Sequence, residues 1–177
     1  GDGVLTRSVR LENTGKEPLR LKQAASLCVD FPDHAFDRLS LYGGHAAERS
    51  LERCRLMRGI EETASARGAS SHQQSPFLAL ARPETGEMAG EVYAFSFVYS
   101  GSFSMRTEVE QFGTTRVVVG LNPADFSWQL QPGETFQTPE VVCVYAADGL
   151  NGMSQAYHAA YRAHLLRGKY RHAVRPI

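Results

Sequence analysis

Nine residues, Glu91 to Tyr99 (EVYAFSFVY), limit the possible folds more than any other segment. Side chains on a strand alternate between two faces. Val92, Ala94, Ser96 and Val98 therefore share one side, and Tyr93, Phe95, Phe97 and Tyr99 the other. Both faces carry apolar bulk, so the strand is expected to be central and covered on both sides, as in a large β-sandwich. Two further runs follow, Phe103 to Gln111 and Thr115 to Leu121, joined by Ser100-Gly101-Ser102 and Phe112-Gly113-Thr114. Connections of that length are typical of hairpins, and the three strands are expected to form an antiparallel meander.

The same grammar runs along the rest of the chain. Leu5 to Glu12 (LTRSVRLE) is close to period two and predicts a half-buried strand. After the turn Asn13 to Pro18, a second strand from Leu19 to about Phe31 is expected to pair with the first as a hairpin. Phe36 to Tyr42 (FDRLSLY) alternates again, and Gly43-Gly44 is expected to end it. The Arg- and Glu-rich run His45 to Gly68 fits helix and strand templates about equally by pattern. A polar loop, Gly68 to Ser75, precedes a strand from Phe77 to Ala81. Phe126 to Leu130 alternates with strand period, Gln131-Pro132-Gly133-Glu134 has type II turn chemistry, and Thr138 to Tyr145 (TPEVVCVY) returns. One helix is expected, from about Asn151 to Arg167. Met153, Tyr157, Ala160, Tyr161, His164 and Leu165 recur there at spacings of three and four, and Gly168 stands where a left-handed C-cap belongs. The expected architecture is an all-β sandwich with one C-terminal helix.

At 177 residues the chain has the size of one domain, enough to bury roughly two-thirds of its unfolded surface. Nineteen basic residues balance nineteen acidic ones, so no electrostatic footprint for nucleic acid or an anionic membrane is expected. No stretch approaches the apolar length of a membrane helix, and no signal-like N-terminus is present. Cys28, Cys54 and Cys143 are scattered and odd in number, which points away from a disulfide framework and toward a reduced, cytoplasmic setting.

The chemistry-bearing residues form few constellations. Glu61 and Glu62 are neighbours and point to opposite faces of a strand, whereas Glu108 and Glu110 share what is expected to be a solvated face. Glu140 follows Thr138-Pro139 between apolar flanks and is expected to serve a structural ion pair or an inter-domain contact. None of the six histidines has HxH or HExxH spacing, so no metal site is expected. His72, with Ser71 and Gln73 in the SSHQQ loop, is the strongest candidate for a contact, although a loop capped by its own Ser and Gln bonds explains the same residues. Trp128, with Phe126, Tyr93, Tyr99 and Tyr145, fits a carbohydrate platform, with core filling the favoured alternative.

Three segments carry a family resemblance: RGASSHQQSPFLALARP (67–83), YAFSFVYSGSF (93–103) and LNPADFSWQLQPGETFQTPEVVCVYAADGLNGMSQAYHAAYR (121–162). They resemble the later part of the N-terminal β-sandwich domain of glycoside hydrolase family 36 α-galactosidases. The resemblance implies a mainly β fold, a large antiparallel supersandwich like that of galactose mutarotase with one C-terminal α-helix. It favours strands over a helix in His45 to Gly68. Its implied organisation is a sandwich over 1–147, a helix over 148–168 and a linker over 169–177 leading into a (β/α)₈ barrel. It implies a parent that removes terminal α-galactose from sugars such as melibiose and raffinose, with two barrel aspartates as nucleophile and acid/base. No position here matches those aspartates, so no catalytic residue, cofactor or metal is expected and the chain alone is expected to be inactive. Its implied partners are the parent's catalytic barrel and further copies of itself, with substrate bound only in the parent. A stand-alone carbohydrate-binding module is the alternative. Inter-domain or substrate-side contacts are expected at Ser71, His72, Gln73, Trp128 and Glu140.

Overall fold

The structure, a computed structural model, describes residues 3–168; the expected linker over 169–177 lies outside the described residues. In chain order the first strands are β1 (Val4–Arg7), β2 (Arg10–Glu12), β3 (Leu19–Leu21), β4 (Ala25–Phe31), β5 (Asp37–Gly44), β6 (Ala47–Arg55) and β7 (Gly59–Ser65). They are followed by β8 (Gln74–Ala81), β9 (Val92–Phe97), β10 (Phe103–Val109), β11 (Thr115–Leu121), β12 (Trp128–Leu130), β13 (Thr135–Gln137) and β14 (Val141–Ala146). The helix α1 (Gly149–Ala160) runs on into a π-helical turn, Tyr161–Leu165.

Two antiparallel sheets make the sandwich: one of six strands, ordered β1-β14-β9-β8-β5-β6, and one of four, ordered β4-β11-β10-β7. β9 sits between β8 and β14, and the two-faced apolar pattern explains why. Phe95 and Phe97 enter the core between the sheets with Phe103, Met105, Val117 and Val119. Val92 and Ala94 face the other way, against Tyr157, Met153 and Ala156 of α1. The fold thus has three layers, with the larger sheet in the middle. Each fully buried side chain of this size contributes about 1.5–3 kcal/mol. Tyr157 anchors the helix: it is 6% exposed, and its hydroxyl donates to the Val142 carbonyl at 3.0 Å. Burial raises its pKa, as it does that of Tyr161, whose hydroxyl donates to Ser96 Oγ at 2.7 Å.

Several strand partners differ from the sequence expectation. β9 and β10 do not pair; the 98–102 segment crosses from one sheet to the other, and only β10 and β11 form the expected hairpin. A strand apolar on both faces fits the middle layer, whereas β10 alternates strictly between buried and half-buried residues and fits an outer one. Leu5 to Glu12 is two strands. β1 pairs with β14 and β2 with β13, and the switch is held by Val9, whose N–H donates to Thr138 Oγ1 at 2.8 Å. The expected hairpin with Leu19 to Phe31 does not form, since β3 pairs with β12 and β4 with β11. Gly43 and Gly44 lie within β5, and the turn falls at His45-Ala46, where Ala46 has φ +61°. His45 to Gly68 does contain strands, β6 and β7. Gly133, at φ +80°, fills the positive-φ place in the Pro-Gly turn. The helix begins at Gly149 and its π-turn ends at Leu165, so Gly168 (φ +102°) stands beyond the helix end and does not cap it.

One ion pair ties the sheets together at the edge of the core. Arg82 lies with its guanidinium carbon 4.0 Å from the Phe36 ring centre and donates to both carboxylate oxygens of Asp33, at 2.7 and 3.2 Å. The Arg82 hydrogen bonds hold the Asp33 carboxyl below its ordinary range. A carboxyl with a depressed folded pKa stabilises above its unfolded pKa and loses that contribution as pH falls. Asp33 is 40% exposed, so solvent screening keeps the effect modest. Asp33→Asn is expected to lower the urea midpoint at pH 7, with the difference from wild type closing below about pH 4. An equal difference at pH 7 and pH 3 would show that the charge is not what the pair contributes.

Candidate functional site

Strand register gathers the candidate residues at one end of the sandwich. Phe103 lies opposite both Ser65 and Leu121, and Phe97 lies opposite Val141. The segments 66–73, 98–102, 122–127 and 137–140 therefore emerge together. Backbone and side-chain bonds knit them: Ser70 N–H donates to the Ser100 carbonyl at 2.8 Å, Gly68 N–H to Ser102 Oγ at 2.9 Å, and Val98 N–H to the Glu140 carbonyl at 2.9 Å. Asn122 is the knot, its Nδ2 donating to the carbonyls of Ser65 (3.1 Å) and Phe103 (3.3 Å) while its Oδ1 accepts from Ala124 N–H.

A cleft of about 380 Å³ opens at this end. Tyr99 and Ser102 line it from the crossing between β9 and β10, Asn122, Asp125 and Phe126 from the segment after β11, and Trp128, Phe136 and Gln137 from β12 and β13. The aromatic rings brace one another. Trp128 lies 5.5 Å from Phe136, and Phe136 lies 5.9 Å from Phe126 in an edge-to-face pair. Tyr99 packs on Phe97 at 5.6 Å and lies across Gly101, where a Cβ would meet the Tyr99 ring at 2.5 Å. The core-filling reading of these aromatics is thus corrected. Trp128, Tyr99 and Tyr145 are 49%, 38% and 43% exposed, and only Tyr93 turns toward the core, against Phe31 and Phe36. The small strand pairs β3 with β12 and β2 with β13 hold Trp128 and Phe136 outside the main sheets.

Glu140, the next residue but two after Gln137, lines a second concavity. This groove, about 410 Å³, runs between Val4 and Thr6 of the edge strand β1, Val142 of β14, and Ala156, Ala159 and Ala160 of the helix. His164 and Leu165 of the π-turn complete it. Glu140 makes no ion pair among the described residues, so the structural ion pair expected for it is absent there. The small side chains of α1 leave the groove open, and its apolar walls with one carboxylate suit packing more than catalysis.

Ser71, His72 and Gln73 share the same end but line neither concavity. Their loop is bonded to itself: Gln73 N–H donates to Ser71 Oγ at 3.2 Å, and Arg67 donates to Gln73 Oε1. His72 projects into solvent. The remaining carboxylates stay apart. Glu61 lies 4.0 Å from the buried Arg38, Glu62 accepts from Ser104, and Glu108 pairs with Arg106. Glu110 lies outside the strand and accepts from the N–H groups of Phe112 and Thr114, which depresses its pKa. Asp125, Phe136 and Gln137 were not singled out by sequence. Their one signal is the density of polar and aromatic residues on either side of Trp128.

Comparison with known proteins agrees with this geometry. Residues 1–131 match the model of the glycosyl hydrolase family 36 N-terminal domain, and residues 135–177 match the melibiase model. The chain is 56% identical over 174 residues to α-galactosidase AgaA of Geobacillus stearothermophilus, covering 98% of this chain and 24% of that protein. It is 48% identical to the bifunctional α-galactosidase/sucrose kinase AgaSK of Mediterraneibacter gnavus, over 98% of this chain and 19% of that one. A crystal structure of Geobacillus AgaA bound to raffinose superposes with a TM-score of 0.97 at 56% identity, over 99% of this chain and 24% of the other. The chain therefore spans about a quarter of AgaA, as it does of Mel36A of Lactobacillus acidophilus (24%).

Proposed function

The chain belongs to the glycosyl hydrolase family 36 N-terminal domain family, and from that premise we propose that it serves a parent α-galactosidase as a scaffold on which the catalytic barrel docks. The parent would hydrolyse terminal α-galactosides, and this chain would supply none of the reacting carboxylates. The groove beside α1 is the docking surface. One observation carries the reading: the melibiase match begins at residue 135 and runs through β14 and α1, so the two family regions meet inside one packed unit. β14 lies between β1 and β9, and α1 packs on it, leaving the groove at the junction. Within this proposal 3–147 is the described sandwich, the helix follows, and the remaining residues lead toward the barrel.

Glu140 and His164 would face the barrel from the groove, and Ser71, His72 and Gln73 would form neighbouring inter-domain or substrate-side contacts. Association of copies through the sandwich belongs to the same reading. Met57, Ile60 and Phe112, which are 65%, 58% and 85% exposed at the opposite end of the smaller sheet, offer apolar surface for it. No helix of the described residues is long and apolar enough to cross a membrane.

The test is hydrolysis of p-nitrophenyl α-D-galactopyranoside. The purified 177-residue chain is expected to show none, and the parent, with its barrel attached, is expected to turn it over. Turnover by the chain that persists on repurification, or a parent with no α-galactosidase activity, would overturn the proposal.

A further inference from the structure

We infer that the cleft between Tyr99, Asp125 and Trp128 is a binding site for a neutral pyranose saccharide. A pyranose ring presents C–H groups on its faces and hydroxyls around its edge. It therefore needs an exposed aromatic face beside unsatisfied polar groups, held rigidly enough that binding does not first have to order them. The cleft has each of these. The Trp128 ring is about half exposed and braced through Phe136 to Phe126, so its open face is preorganised. The Tyr99 ring is pinned between Phe97 and Gly101, and its hydroxyl makes no hydrogen bond among the described residues.

The polar groups decide which kind of ligand fits. The Asp125 carboxylate has no hydrogen-bond or ion-pair partner among the described residues, and Gln137 uses only its Nε2, leaving Oε1 free. These are acceptors, suited to the hydroxyl donors of a sugar, and they repel an anionic ligand. Among the described residues no Lys, Arg or His lines the cleft, which disfavours phosphate, carboxylate or nucleic-acid recognition by ion pairing. A purely apolar ligand would leave Asp125 desolvated without a partner, at a cost. The volume of about 380 Å³ falls at the lower end of small-molecule sites, roughly 300–1,000 Å³. That suits one or two sugar rings. Ser102 and Asn122 are already committed to loop bonds and position the walls.

This inference goes beyond barrel docking and does not depend on it. The groove beside α1 and the cleft share no lining residue, so either reading can fail alone. Trp128 is the single tryptophan of the chain, which makes its fluorescence a direct reporter. The 177-residue chain is titrated with galactose, melibiose and raffinose, with glycerol and galacturonate as controls. A saturable change in Trp128 emission with the neutral sugars is expected, with weaker binding of galacturonate and no saturation with glycerol. Asp125→Asn and Tyr99→Phe, each checked for unchanged circular dichroism, are expected to weaken binding about tenfold. Three results would overturn the site: no saturable change with any sugar, an equal response to glycerol, or affinities unchanged in both folded variants.

Discussion

Truncation of Phe97 to alanine is expected to destabilise the chain by about 3–5 kcal/mol, out of a total stability of about 5–15 kcal/mol for a domain. Phe97 is 2% exposed, lies opposite Val141 in the larger sheet, and packs in the core with Phe103 and Met105 from the smaller one. Its neighbours are strand-bound and have little room to collapse into the space, so most of the cavity should remain. The urea midpoint should fall sharply with little change in slope, as expected when stability changes and the unfolded surface does not. The same ring supports Tyr99 at 5.6 Å. The variant should therefore also lose order in the cleft, seen as a change in Trp128 emission without ligand. A midpoint within experimental error of wild type would contradict this placement of the core.

A second large effect is expected at Gly149, a position with no hydrophobic side chain to lose. Its φ of +84° disfavours any Cβ, and an added Cβ would lie 2.6 Å from Ala89 N and Gly86 O and 2.7 Å from Glu87 O. All of these are backbone atoms and cannot rotate away. The same 86–90 segment caps the helix. Gly149, Leu150 and Asn151 donate their N–H groups to the carbonyls of Gly90, Gly86 and Glu87 at 3.0, 3.0 and 2.9 Å, and Asp148 provides no side-chain cap. Gly149→Ala therefore combines left-handed strain of about 1–2 kcal/mol with displacement of three bonds worth about 1 kcal/mol each. The expected loss is about 4–5 kcal/mol. Amide exchange at Leu150 and Asn151 should accelerate before global unfolding does. Slow exchange at both, with an unchanged melting midpoint, would mean that the loop does not hold the helix.

Part of the candidate site was legible in advance. The two-faced pattern of β9 predicted a covered central strand, and it lies between β8 and β14 with α1 on one side and the smaller sheet on the other. Trp128 and Glu140 were named as contact residues; Trp128 lines the cleft and Glu140 the groove beside α1, and the contacts themselves remain part of the proposal. The residues that share the cleft with Trp128 were not legible as a group, because Tyr99 comes from the crossing between β9 and β10 and Phe136 from β13. Arg38 shows the same limit. The alternation of FDRLSLY assigned it no environment, and it is 6% exposed between the sheets, where it donates to Ser40 and Thr63.

What the sequence determined by itself is local: which segments outside His45 to Gly68 are strands, where the Pro-Gly turn reverses the chain, and that one amphipathic helix closes the domain. These follow from side-chain period and backbone preference over a few residues, and they hold without knowledge of any partner. Only the tertiary structure decided which strands pair. Alternation specifies a face and leaves the neighbour open, so β1, β2 and β3 took partners from β12, β13 and β14 more than a hundred residues away. The folded chain brought Tyr99, from the crossing between β9 and β10, to the cleft that Trp128 lines. The exposure of either ring does not follow from its own segment, because burial and solvation are properties of the assembled sheets.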